Sequence, residues 1–255
     1  MIEKVEEEFE EYINNYDKGV KEIRYKYLHS YKVEKLMEEL SKRINLNSIE
    51  LELAKIIGLL HDIGRFEQIK RFGICSDSIT GVDHADESCK YLFDDNHIRD
   101  FISENKYDLI IKNAIINHNK YEIDKSVNGK SLLFSKMIRD MDKVDIYRVL
   151  SEEYKGTFSR CEINEKVLES FKKHKTVDSH LKKSESDAFI AHLAFIYDFN
   201  YKESLSILNN TSNLKEYLKT IEIDNKNKKE YIENNKLFNE LINEVDSFIK
   251  EKKEG

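Results

Sequence analysis

Leu59-Leu60-His61-Asp62-Ile63-Gly64-Arg65 sets an imidazole beside a carboxylate at the end of an apolar run. Upstream of it, Ile49, Leu53, Ile56, Ile57 and Leu60 recur at helical spacing. Asn47, with Glu50 three residues on, has the form of a capping box. The spacing therefore predicts a helix that opens at Asn47, buries one face and is ended by Gly64. Neither His61 nor Asp62 belongs at such a place for packing reasons.

The same period extends in both directions. Val5, Phe9, Ile13 and Tyr16 mark a first helix, and a second starts near Tyr25 with His29, Val33, Leu36, Met37 and Leu40 on its stripe. Downstream, Phe66 to Asp83 shows no clear period; Gly73 and Gly81 bracket a polar stretch expected to be a lid or binding loop. A helix is expected from Asp83-His84-Ala85-Asp86 onward, and another from Tyr107 with Ile111, Ala114, Ile115 and His118 on one face. After the turn signal Asn128-Gly129, Phe134, Ile138, Asp142, Ile146 and Val149 again fall at helical spacing. Beyond Leu150 a connection rich in Lys and Glu leads to further runs, Phe189 to Tyr197 and Leu237 to Phe248, with the last six residues frayed.

Across 255 residues there is no proline and only 8 glycines, which with this period predicts an all-α protein. No linker composition or repeat divides the chain. It is expected to be one domain, with a metal-binding core over about residues 25–150 and a C-terminal helical extension over about 151–255. No run approaches the ~18 apolar residues of a membrane span, and the acidic N-terminus is unlike a signal peptide. Cys75, Cys89 and Cys161 lack metal-site spacing and are expected to be reduced thiols of a cytoplasmic protein. A net charge of -7 weighs against binding to a nucleic-acid polymer or an anionic membrane, but leaves room for a small anionic substrate.

The polar residues on the stripes carry the functional argument. A single histidine on an apolar face is most simply a hydrogen-bonded core residue. An aspartate is harder to place, because burying an ionised carboxylate costs several kcal/mol unless it is paired or metal-bound. His29, His61, Asp62, His84, His118 and Asp142 together have one economical explanation, a bound cation or a pair of them. Imidazole with carboxylate suits Fe, Mn, Zn, Co or Ni better than Ca or Mg alone.

The ordered set His29, His61-Asp62, Asp142 resembles the H…HD…D signature of the HD-domain superfamily of metal-dependent phosphohydrolases, over roughly Tyr27 to Val149. The flanks agree: the segment around His61 looks like the family's LLHDIGK, and Arg139-Asp140-Met141-Asp142-Lys143-Val144-Asp145 looks like its RDADKLD. His84 and His118 stand where binuclear members carry two further histidines. The resemblance implies an HD-type helical bundle with added C-terminal helices. It also implies two divalent ions, one held by His29, His61, Asp62 and Asp142 and the other by Asp62, His84 and His118. The implied activity is cleavage of a phosphate ester or anhydride, of a nucleotide-like substrate, by a metal-activated hydroxide. Ile116-Asn117-His118-Asn119 lacks the double histidine of HD-GYP phosphodiesterases, and no Gly-Tyr-Pro follows, so that type is not expected.

Asp62 and Arg65 are the candidate catalytic residues, with Arg65 as a phosphate clamp in place of the family's lysine. Asp83 and Asp86 are candidates to orient His84, and Asp145 with Arg148 a pair supporting the ligand helix. Arg139 and Lys143 are candidates to reach substrate or, more simply, solvated. His97, His174, His180 and His192 have no place in the pattern. The same ligand set also fits a di-iron oxygenase, or a metal-binding sensor or partner module without catalysis. A partner or a second protomer on the C-terminal helices is compatible with all three.

Overall fold

The structure is a computed structural model that describes residues 1–153, 157–158, 162–219, 222–223 and 228–254, with side chains described for 1–152, 162–219 and 236–252. The described residues are mostly helical: α1 (Ile2–Ile13), α2 (Lys21–Arg43), α3 (Ser48–Leu60), α4 (Gly64–Phe72), α5 (Asp77–Thr80), α6 (His84–Cys89), α7 (Ile98–Phe101), α8 (Asp108–Asn117), α9 (Gly129–Glu153), α10 (Glu165–Lys172), α11 (Glu185–Ala194), α12 (Lys202–Thr211), α13 (Asn213–Lys219) and α14 (Lys228–Glu254). A single two-residue parallel pairing joins Thr157–Phe158 to Glu222–Ile223 among the described residues. The fold is all-α, as the period predicts. The chain divides into two compact units, Met1–Asp145 and Ile146–Gly255.

In the first unit the apolar stripes become one core. α1 buries Val5, Phe9 and Ile13, and α2 buries Ile23, Val33, Met37 and Leu40. α3 is nearly all apolar in its second half and is buried from Ile56 through Leu60. Its start is the predicted capping box, with Asn47 and Glu50 each bonding the other's backbone N–H. α2 and α3 approach so closely that a Cβ on Gly58 would lie 2.9 Å from the Glu34 Cα, so no larger residue fits there without movement.

Gly64 corrects the sequence expectation. α3 ends at Leu60, and Gly64 opens α4 instead of terminating α3. A Cβ on Gly64 would fall 2.5 Å from the Ser88 backbone N and 2.8 Å from the His84 carbonyl oxygen, so the glycine serves a close approach of α4 to α6. The expected lid is also more ordered in sequence than its pattern suggests. Residues 66–72 are helical, with Phe66, Gln68 and Ile69 buried, and α5 adds one turn before His84. Along α9 the buried apolar set is Phe134, Met137, Ile138, Met141, Val144 and Tyr147, while Ile146 and Val149 are part-exposed.

The second unit has its own core, with Val167, Phe171, Phe189, Leu193, Leu205, Leu208, Tyr217, Leu241 and Val245 buried. Within it the Tyr147 hydroxyl donates to the His192 carbonyl at 2.8 Å. α14 continues to Glu254, so the expected fraying of the tail is not seen. Cys75 is part-exposed and Cys89 buried, both as free thiols; Cys161 lies outside the described residues. Among the described residues no helix is long and apolar enough to cross a membrane.

Candidate metal centre

Six residues from five segments converge inside the first unit. His29 lies in α2, His61 and Asp62 follow the last residue of α3, His84 opens α6, His118 ends α8 and Asp142 lies within α9. Asp62 is at the centre and its two oxygens face different partners. Oδ2 is 3.6 Å from His29 Nε2 and 3.7 Å from His61 Nε2, and Asp142 Oδ1 is 3.1 and 3.6 Å from the same two nitrogens. Oδ1 is 3.3 Å from His84 Nε2 and 3.6 Å from His118 Nε2. The expected groups, His29-His61-Asp62-Asp142 on one side and Asp62-His84-His118 on the other, are the groups the fold brings together.

Each imidazole is held by its other nitrogen. Nδ1 of His61 donates to the Gly58 carbonyl at 2.8 Å, and Nδ1 of His118 to the Ile115 carbonyl at 2.6 Å. His29 Nδ1 bonds Asp145 Oδ2 at 2.8 Å, and His84 Nδ1 bonds Asp77 Oδ2 at 2.6 Å. Carbonyls and carboxylates only accept, so the Nδ1 protons are fixed and all four Nε2 atoms point inward.

That arrangement fits a cation. His29 Nε2, His61 Nε2 and Asp62 Oδ1 are buried without hydrogen-bond partners, a costly state for polar atoms. His84 Nε2 and His118 Nε2 stand 2.9 Å apart, lone pair towards lone pair. Ligands about 2.1 Å from one ion at octahedral or tetrahedral angles lie about 3.0–3.4 Å from each other, close to the spacing of these donors. A third grouping, Asp77, Asp83 and His84, includes the Asp77 carboxylate that accepts from His84 Nδ1, so Asp77 there serves as support for the ring.

Charge differs across the site. Burial opposes ionisation of Asp62, but Lys26 and His61 overcome it and hold the carboxyl well below the usual range. Burial lowers His29, yet the carboxylates of Asp142 and Asp145 draw it up to about 9. Burial and the Arg65 charge push His84 down to about 4, against the pull of Asp77 and Asp62.

Several neighbours were not legible as site residues. Lys26, one turn before His29, places Nζ 2.6 Å from Asp62 Oδ2. Its charge on the His29 face was the available signal. Asp77, from the aperiodic stretch, takes the role expected of Asp83 and Asp86. Asp83 instead caps α6 and accepts from Asn119, and Asp86 is an exposed first-turn residue. Asp145 supports His29, and Arg148 pairs with Glu152. Arg65 binds Asp77 and Gln68 through Nη1, while its Nε lies 3.9 Å from Asp62 Oδ1. Arg139 and Lys143 are buried, against the solvated expectation. The Arg139 guanidinium donates to the carbonyls of Asn117, Lys120 and Tyr121, and Lys143 donates to the Arg139 carbonyl. His97, His174 and His192 make contacts away from the centre, with Asp100, Glu244 and Tyr217.

A helical unit with four inward imidazoles divided between the oxygens of one buried carboxylate is a donor set that could hold metal. The family model described as HD domain matches residues 27–147, a span that contains all six converging residues. Residues 27–147 are therefore an HD domain. No curated protein and no solved structure matches the chain significantly.

Proposed function

We propose that this chain is a phosphohydrolase that cleaves a phosphate ester or anhydride in a small, nucleotide-like substrate, using two divalent ions such as Fe or Mn. The observation that carries this reading is the division of His29, His61 and Asp142 from His84 and His118 across the two oxygens of Asp62. When bound there, such ions supply Lewis acidity to a phosphoryl oxygen and hydroxide at neutral pH.

The chain's own residues prepare the phosphate site. The Lys26 ammonium and the Arg65 guanidinium approach opposite oxygens of Asp62, so both cations border the centre. The Arg65 fork suits two phosphate oxygens, and its Nε is buried without a partner. The Nδ1 bonds to Asp145, Gly58, Asp77 and Ile115 hold the four rings in one orientation before substrate arrives. The net charge of -7 supports a small substrate over a nucleic-acid polymer.

The test is metal content and turnover of anaerobically purified protein on phosphomonoesters, nucleotides and dinucleotides. Asp62→Ala and His61→Ala are expected to lose bound metal and at least about a thousandfold in turnover, with helicity retained by circular dichroism. Near-normal hydrolysis by both variants overturns the reading. Dioxygen uptake that depends on substrate, with no phosphate release, replaces it with an oxygenase.

A further inference from the structure

Asp77 has both ends of its carboxylate engaged. Oδ2 accepts from His84 Nδ1 at 2.6 Å, and Oδ1 accepts from Arg65 Nη1 at 2.5 Å and Gln68 Nε2 at 3.0 Å. Gln68 is fully buried, and the same amide nitrogen also reaches Thr80 Oγ1 and the Val82 carbonyl. The segment that carries Asp77 is thus pinned to the core by a side chain of α4. On the far side of the His84 ring, Nε2 faces Asp62 Oδ1 at 3.3 Å. Arg65 Nε faces the same oxygen at 3.9 Å. One carboxylate therefore sets the ring and the guanidinium that meet at one oxygen of Asp62.

We propose that Asp77 is a positioning residue that couples loading of the second ion, at His84 and His118, to capture of phosphate by Arg65. The proposal rests on the two-ion reading of the site given above. Oδ2 keeps the His84 proton on Nδ1, which leaves the lone pair at Nε2. Oδ1 takes up one end of the Arg65 fork and so fixes where Nε points. Only a carboxylate can accept on both sides. An amide must present its NH2 to one of them, either to His84, which forces the proton onto Nε2, or to Arg65 and Gln68, which are themselves donors.

The experiment titrates Mn(II) into the full chain, then orthophosphate at saturating Mn(II), with helicity followed by circular dichroism. The native protein is expected to bind two Mn(II). Asp77→Ala is expected to keep the first ion, bind the second about 10–100-fold more weakly, and bind orthophosphate more weakly in parallel. Asp77→Asn, nearly the same shape, is expected to lose at least one of those two affinities, which keeps the test open if the alanine variant does not fold. Unchanged affinities in Asp77→Ala overturn the role of Asp77 and leave the two-ion reading standing. Equal weakening of both ions also overturns it, since that marks general damage to the site. A single Mn(II) in the native protein overturns the two-ion reading and this proposal with it.

Discussion

The two sides of Asp62 are built by different means. The Oδ2 side draws His29 from the 23-residue α2 and Asp142 from the 25-residue α9, with His61 at the end of the buried α3. Its geometry follows from how long helices pack. The Oδ1 side takes His84 from the first residue of the six-residue α6 and His118 from the end of α8, and its ring supports are Asp77 and the Ile115 carbonyl. Hydrogen bonds from one side chain to the next do there what helix packing does opposite. The charges diverge as well: two extra carboxylates surround His29, whereas Arg65 stands beside His84.

Removing one ring from each side is the strongest way to break this comparison. His29→Ala should empty the first position and His118→Ala the second, each costing more than the roughly 100-fold in affinity that an outer hydrogen-bond partner is worth. Metal content after dialysis reads the result, and identical losses in the two variants would show that the sides do not load separately. A smaller effect comes from pH. His29, drawn up to about 9, is protonated at neutral pH and must release a proton to become a ligand. Affinity at the first position should therefore rise about tenfold per pH unit from 7 towards 9 and level off above it. His84, held down to about 4, contributes no such slope over that range. Competition titrations between pH 7 and 9 would show the difference. The smallest effect concerns the backbone beneath the second position. Gly64→Ala sets a methyl 2.5 Å from the Ser88 N and should cost about 1–3 kcal/mol in urea unfolding. It should also weaken the second ion more than the first, because the carbonyl it crowds belongs to His84.

What was legible in the sequence follows the same division. His29, His61, Asp62, His118 and Asp142 stand on or at the ends of strongly periodic helices, where a polar residue on an apolar stripe is visible as an exception. Asp77 gave no such signal, because a one-turn helix tied down by side chains has no period to violate. Arg139 was misplaced for a related reason. Its burial depends on the carbonyls of residues 117–121 coming within reach, a long-range match that local pattern does not encode. Gly64 showed the right residue with the wrong reason, since a helix stop and a close helix contact both call for glycine.

Lys26 gives the Asp62 carboxylate a counter-charge that is covalently part of the chain. Its Nζ is 2.6 Å from Asp62 Oδ2, and the interaction raises the lysine's proton affinity although burial opposes it. Many small metalloproteins fold only as their ion binds, because the ion alone compensates the gathered donors. Here the ammonium offsets part of the cost of burying Asp62 whether or not any ion is bound. On that ground the helices that carry the donors are expected to stay folded after treatment with a chelator, which circular dichroism checks.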